Sequence, residues 1–167
     1  PIVISFFLLL FGVLKVLTFS NWSIYLLILV FIFINFFCLL KNKNYSIFFN
    51  FLKKNFKILI FEELLFLTVL LVWSFIRGFS PNIEGLEKYM DWGFINSILR
   101  SDFLPPQDMW FAGLNINYYY FGHLIFALLT KISGINSNIT YNLSVATVCA
   151  LTFVSTFSLS TNLVFSS

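Results

Sequence analysis

The sequence predicts an all-α, polytopic bundle of transmembrane helices, with one further helix lying parallel to the membrane in an outer loop. Three observations lead there. Hydrophobic residues make up 59% of the 167 and charged residues only 10%, where a soluble domain carries roughly 25% charged residues; the mean hydropathy is +0.91. The apolar residues gather into about five runs near the length of roughly 20 that a spanning helix needs. The polar residues gather instead in one stretch from Glu87 to His123, "EKYMDWGFINSILRSDFLPPQDMWFAGLNINYYYFGH". The net charge of +3 comes from dispersed basic residues without a basic stripe, so no nucleic-acid partner is expected. The expected partner is the lipid bilayer.

The spans are justified in order. Ile2–Phe19 and Trp22–Leu40 are separated by only "SN", which suits a tight hairpin of helices. Ile58–Ile76 is the third and clearest run, and Tyr118–Ile132 the fourth and slightly short one. Tyr141–Phe165 is diluted by Ser and Thr, as in helices packed against others, whose hydroxyls bond back to the backbone. The first run has no basic head or small-residue cleavage site, so it is not a signal peptide. A start at Pro1 and a stop at Ser167 read as a piece of a longer chain.

Orientation follows from Lys41, Lys43, Lys53, Lys54 and Lys57. The positive-inside rule places loop 41–57 in the cytoplasm, and the alternation of spans then puts loop 77–117 outside. The expected division is a hairpin plus Lys-rich loop over 1–57 and a membrane region carrying the outer loop over 58–167, in a multi-pass protein of the cell membrane. Glu62 and Glu63 fall about one turn inside the cytoplasmic end of the third span, where the helix dipole favours carboxylates. Cys38 and Cys149 lie in apolar runs and read as small hydrophobes.

Within the outer loop, Leu86–Arg100 reads as a helix of about four turns, preceded by Gly85 and ended by "SDFLPP", because Pro105 and Pro106 cannot continue it. At 100° per residue, Glu87 and Asp91 share a face with Phe94 and Ile98, while Tyr89, Asn96 and Arg100 lie nearly opposite. Two readings stand. The acids either snorkel from an interfacial helix and pair with Lys88 and Arg100, or they sit at the mouth of a cavity where one serves as a base. Tyr118, Tyr119 and Tyr120, placed on a helix, point in three directions, and His123 lies one turn below Tyr119. An aromatic belt at the interface accounts for some of these tyrosines.

"EELLFLTVLLVWSFIRGFSPNIEGLEKYMDWGFINSILRSDFLPPQDMWFAGLNINYYYFGH" closely resembles the Chlor_Arch_YYY family of uncharacterised prokaryotic membrane proteins, named for its tyrosine triplet. The likeness covers roughly Glu62 to Leu143. It departs at Met109, where the family pattern has Pro, which puts local rigidity in question. That family in turn looks like a branch of the GT-C membrane glycosyltransferases, in which a helix leads outward into a loop bearing an acid on a membrane-parallel helix. The resemblance implies a GT-C-like fold and transfer of a sugar from a polyprenyl-phosphate donor to an acceptor at the outer face. It places Glu87 at the position of the catalytic acid, with Asp91 one turn on. Arg77, Lys88, Arg100, Asn117, Tyr118, Tyr119 and Tyr120 are available to the donor, with Glu84, Asp108 and His123 in the same expected substrate site. A divalent metal bridging acid and phosphate stays open, with no ligand set at metal-binding spacing. Two other readings also remain open: a transporter or channel subunit, and a non-catalytic protein that binds a polyprenyl lipid or another membrane subunit.

Overall fold

A computed structural model describes residues 1–42 and 45–165 of the chain. Six helices follow in order: α1 (Ile2–Val13), α2 (Asn21–Asn42), α3 (Tyr45–Gly78), α4 (Leu86–Arg100), α5 (Phe121–Ser133) and α6 (Ser137–Phe165). Among the described residues there is no strand, only an isolated antiparallel bridge between Gln107 and Asn115. Three helices among the described residues are long and apolar enough to cross a membrane, over Asn21–Lys41, Tyr45–Gly78 and Ser137–Val164. The runs expected at Ile2–Phe19 and Tyr118–Ile132 yield helices of only 12 and 13 residues, short of the roughly 20 that a span requires.

The chain gathers into two compact units, one of Pro1–Phe36 with Ile83–Tyr141 and one of Phe37–Asn82 with Asn142–Ser167. In the first, α1 stops at Val13 because the backbone turns left-handed at Lys15, with φ 56°. The Val16 and Leu17 N–H groups both bond back to the Phe11 carbonyl, at 2.9 and 3.3 Å. An L side chain in that region costs about 1–2 kcal/mol, and nothing in a lysine advertises it. The tail of the expected first span is then drawn elsewhere: the Phe19 N–H donates to the Asp102 carbonyl at 2.7 Å, and its ring is buried. Ser20 caps α2, its Oγ accepting from the Ser23 N–H at 3.3 Å.

The core of this unit holds Leu8, Ile24, Leu27, Ile95, Ile98, Leu124 and Leu128. α5 presents Leu124, Ala127 and Leu128, spaced on one stripe, and packs on α4 and α1. It ends at Gly134, whose φ of 67° suits a residue without a Cβ. α6 begins four residues before the expected Tyr141, because the Asn136 side chain accepts from the Asn138 N–H at 3.0 Å and caps it.

In the second unit, α3 runs for 34 residues, roughly 51 Å at 1.5 Å per residue. This corrects two expectations. Lys53, Lys54 and Lys57 stand on α3 rather than in a loop, because "YSIFFNFLKKNFK" contains no breaker, and Lys41 stands in the last turn of α2; Lys43 lies outside the described residues. Glu62 and Glu63 consequently fall near the middle of α3, too far from its start to be held by the helix dipole. α3 buries none of its side chains. On α6, Thr147, Thr152, Thr156 and Thr161 each donate to the carbonyl four residues earlier, the back-bonding expected of a hydroxyl-bearing membrane helix. Phe61 meets Phe157 at 5.1 Å between ring centres, and Asn142 Nδ2 donates to the Pro81 carbonyl.

Candidate functional site

α4 has the bounds that its sequence predicts, but its faces hold only in part: Glu87, expected beside Phe94 and Ile98, is exposed, and Asn96, expected opposite them, is half-buried. Phe94 and Ile98 are buried, Tyr89 and Arg100 exposed. Asp91, on the same face one turn before Ile95, is drawn to a partner 32 residues away: His123 Nε2 lies 3.0 Å from Asp91 Oδ1. Two elements make this contact. α4 carries the acid, and α5, packed against it, carries His123 in its first turn. The His123 side chain is 15% exposed and that of Asp91 36%, so the pair sits at the edge of the packed unit. His123 Nδ1 is buried with no bonded partner.

Phe94 organises the aromatic groups around the pair. Its ring meets His123 edge-on at 5.3 Å, Tyr118 at 6.0 Å and Trp110 at 6.2 Å. The phenols do not diverge as a helical placement predicts, because α5 starts only at Phe121. Tyr118 and Tyr119 instead lie ring on ring at 3.9 Å, and the Tyr118 hydroxyl donates to that of Tyr119 at 2.8 Å. That hydrogen bond holds the Tyr118 phenol above its ordinary pKa of 10.0, with smaller pushes from desolvation and from the Asp91 and Glu87 charges. Glu87 itself is exposed in the first turn of α4.

The connecting loop is tied down at several points. Asp108 Oδ1 accepts from the Trp110 and Phe111 N–H groups at 2.7 and 3.0 Å, the Asp108 N–H donates to Leu114, and the Ile116 N–H donates to Pro106. Met109, where the resemblance expects Pro, lays its thioether over Gly93 so closely that a Cβ there would collide with Sδ. Local rigidity is thus supplied by side-chain packing and the Asp108 turn. An apolar cavity of about 460 Å³ lies between loop and helix, lined by Met90, Phe94, Trp110, Phe111, Leu114, Asn117 and Tyr118 among others. Two of its walls are Phe94, whose ring meets His123, and Tyr118, whose ring meets Phe94.

Other expected site residues lie elsewhere. Arg77 donates to the Ser80 and Asn82 carbonyls at 2.8 and 3.3 Å and closes the end of α3. Arg100 occupies the last turn of α4, nine residues or about 13.5 Å along the axis from Asp91. Neither acid of α4 pairs with Lys88 or Arg100, since the Asp91–His123 contact is the single one of salt-bridge length among the described residues. Glu84 is exposed before α4, and Tyr120 is half-buried at the start of α5. Asp91 and His123 offer two donors to a metal, and no described His, Cys, Asp or Glu completes a set of three. Sequence reasoning missed Asn96 and Ser137, whose side chains bond at 2.9 Å, and Thr130 and Thr140, bonded at 2.8 Å. Residues 41 and 10 apart leave no periodic trace.

No curated protein and no solved structure matches the chain. Residues 3–167 match the family described as uncharacterized membrane protein (DUF2298). With nearly its whole length matched and three helices long enough to span a bilayer, the chain belongs to this family of membrane proteins.

Proposed function

We propose that this region is the catalytic part of a GT-C-like membrane glycosyltransferase that takes a sugar from a polyprenyl-phosphate donor. The observation that carries the reading is the 3.0 Å contact between Asp91 and His123, linked through Phe94 to an apolar cavity whose lining includes Tyr118 and Asn117. A carboxylate held by an imidazole can take the proton of an acceptor hydroxyl as that oxygen forms its bond to the anomeric carbon. The bond from that carbon to the phosphate oxygen breaks, and the polyprenyl phosphate leaves with the electron pair. Phenol and amide donors at Tyr118, Tyr119 and Asn117 suit the departing charge, and aromatic faces suit a sugar ring. Within this scheme Asp91, rather than the exposed Glu87, is the base, with Glu87 adding charge beside Tyr118. The tyrosine triplet and the order of helices support the Chlor_Arch_YYY and GT-C assignment on likeness alone.

The test is incubation of the full-length protein with radiolabelled polyprenyl-phosphate sugars and extracted membrane acceptors. Transfer by wild type and its loss in Asp91→Asn support the reading. Matched activity in both, at equal expression, removes it. A transporter subunit is the second reading, favoured by Glu62 and Glu63 inside α3. It predicts that Glu62→Gln with Glu63→Gln abolishes function while Asp91→Asn does not.

A further inference from the structure

A second cavity, of about 510 Å³, meets the 106–116 loop at Gln107, Asp108, Met109 and Asn115, of which Asp108 and Asn115 also line the first. Its lining brings together the turn after α1, the end of α4 and the start of that loop: Lys15, Ser97, Arg100, Asp102, Gln107 and Asn115 are the polar residues that matter. Asp108 also lines it. Two cations and two carboxylates line it, and no ion pair joins them. Asp108 spends its Oδ1 on two backbone N–H groups of its own loop, and the Asp102 charge acts on Lys131, whose ammonium sits 4.6 Å over the Phe19 ring. Lys15 and Arg100 make no ion pair with either. Arg100 Nη2 reaches only the Ser97 hydroxyl, at 3.4 Å, which leaves its other donors without a protein acceptor. Lys15 holds its place there in a backbone conformation with φ 56° that a glycine would adopt without strain.

We propose that this cleft binds a phosphate group through Lys15 and Arg100. Two cations left without carboxylate partners at one polar cavity match an oxyanion, and guanidinium in particular offers a fork of donors to it. The cavity is larger than a bare oxyanion and falls within the roughly 300–1,000 Å³ of small-molecule sites. The phosphate therefore carries a polar substituent, for which the Gln107 and Asn115 amides supply donors and acceptors. Such a group comes from a free phosphomonoester or from a phospholipid headgroup. The inference does not depend on the transferase reading, because Arg100 and Lys15 stand apart from the Asp91–His123 pair.

The experiment measures the thermal unfolding midpoint of the full chain in maltoside micelles, which carry no phosphate, titrated with sn-glycerol 3-phosphate, and separately with phosphatidylglycerol added to the micelles. A saturable rise with the soluble ester marks a free ligand; a rise with phosphatidylglycerol alone marks a lipid headgroup. Lys15→Gln and Arg100→Gln each weaken the response by roughly tenfold or more, the scale of a charge-assisted hydrogen bond. Lys15→Gly gives the same loss while raising the midpoint without ligand, which separates binding from misfolding. The proposal is overturned if neither phosphate source shifts the midpoint, if the Gln variants respond like wild type, or if chloride at equal ionic strength reproduces the rise.

Discussion

α3 and α4 make opposite use of their residues. α3 spends 34 residues and buries none of them; α4 spends 15 and buries Phe94, Ile95, Ser97 and Ile98. The first is specified by what surrounds it, since an apolar helix needs only hydrocarbon and satisfied backbone bonds. The second is specified by what it touches: Asp91 meets His123, Asn96 meets Ser137 and Gly93 lies under Met109. Chemistry belongs on the second kind of element, because a catalytic group must be held by neighbours to within a fraction of an ångström.

The widest separation between the two helices is topological. With Cys38 and Cys149 replaced by Ala, a cysteine at Asn82 is expected to react with an impermeant thiol reagent in intact cells, and one at Asn55 on α3 is expected to stay silent, all or none. That outcome follows from the lysines near the start of α3. Reversed labelling would place the end of α3 on the cytoplasmic face and remove the outer-face transferase reading.

Next in size is the chemistry. Asp91→Asn is expected to lower transfer by about 100-fold or more, as general base catalysis contributes roughly 10²- to 10⁴-fold. Glu87→Gln is expected to cost less. Single-turnover measurement with saturating donor keeps binding apart from the chemical step, and a larger loss at Glu87 would move the base one turn along α4.

Packing supplies the third contrast. Ile98 is fully buried, while Leu71 on α3 is 68% exposed. Ile98→Ala is expected to destabilise the protein by about 2–5 kcal/mol, and Leu71→Ala to change little, as read from reversible unfolding in detergent. Equal effects would mean that the core around α4 does not hold that unit together.

How far these differences were legible depends on the range of the interactions behind them. α4 was visible end to end: Gly85 and "SDFLPP" mark its limits, and the shared face of Asp91, Phe94 and Ile98 is local arithmetic. The long helices were visible through composition, although nothing in the lysines at 53–57 says whether a helix stops or runs on through them. The Asp91–His123 contact was not visible, because it depends on how a loop of some twenty residues returns the chain to α4. Nor was the left-handed turn at Lys15, since its driving contacts are the Phe11 carbonyl and the docking of Phe19 on Asp102. The arrangement of the tyrosines is not legible for a simple reason: nothing in "YYY" forbids the helix from beginning at Tyr118, whereas it begins at Phe121.

The smallest expected effect tests the corrected tyrosine geometry. Tyr118 titrates above 10.0 chiefly because its hydroxyl donates to Tyr119, with the Asp91 and Glu87 charges adding to the same direction. A phenol whose folded pKa is raised binds a proton that the unfolded chain has already released. Its contribution to stability is therefore complete below pH 10 and lost as the pH rises through the folded value. Tyr119→Phe removes the acceptor, so the Tyr118 phenol is expected to fall back toward 10.0, and Asp91→Asn is expected to move it the same way by less. Phenolate absorbance, taken as the difference between each variant and its Tyr118→Phe counterpart, isolates this group among the seven tyrosines. If the titration is unmoved by Tyr119→Phe, the two rings do not share a hydrogen bond, and the triplet returns to being three separate side chains at an interface.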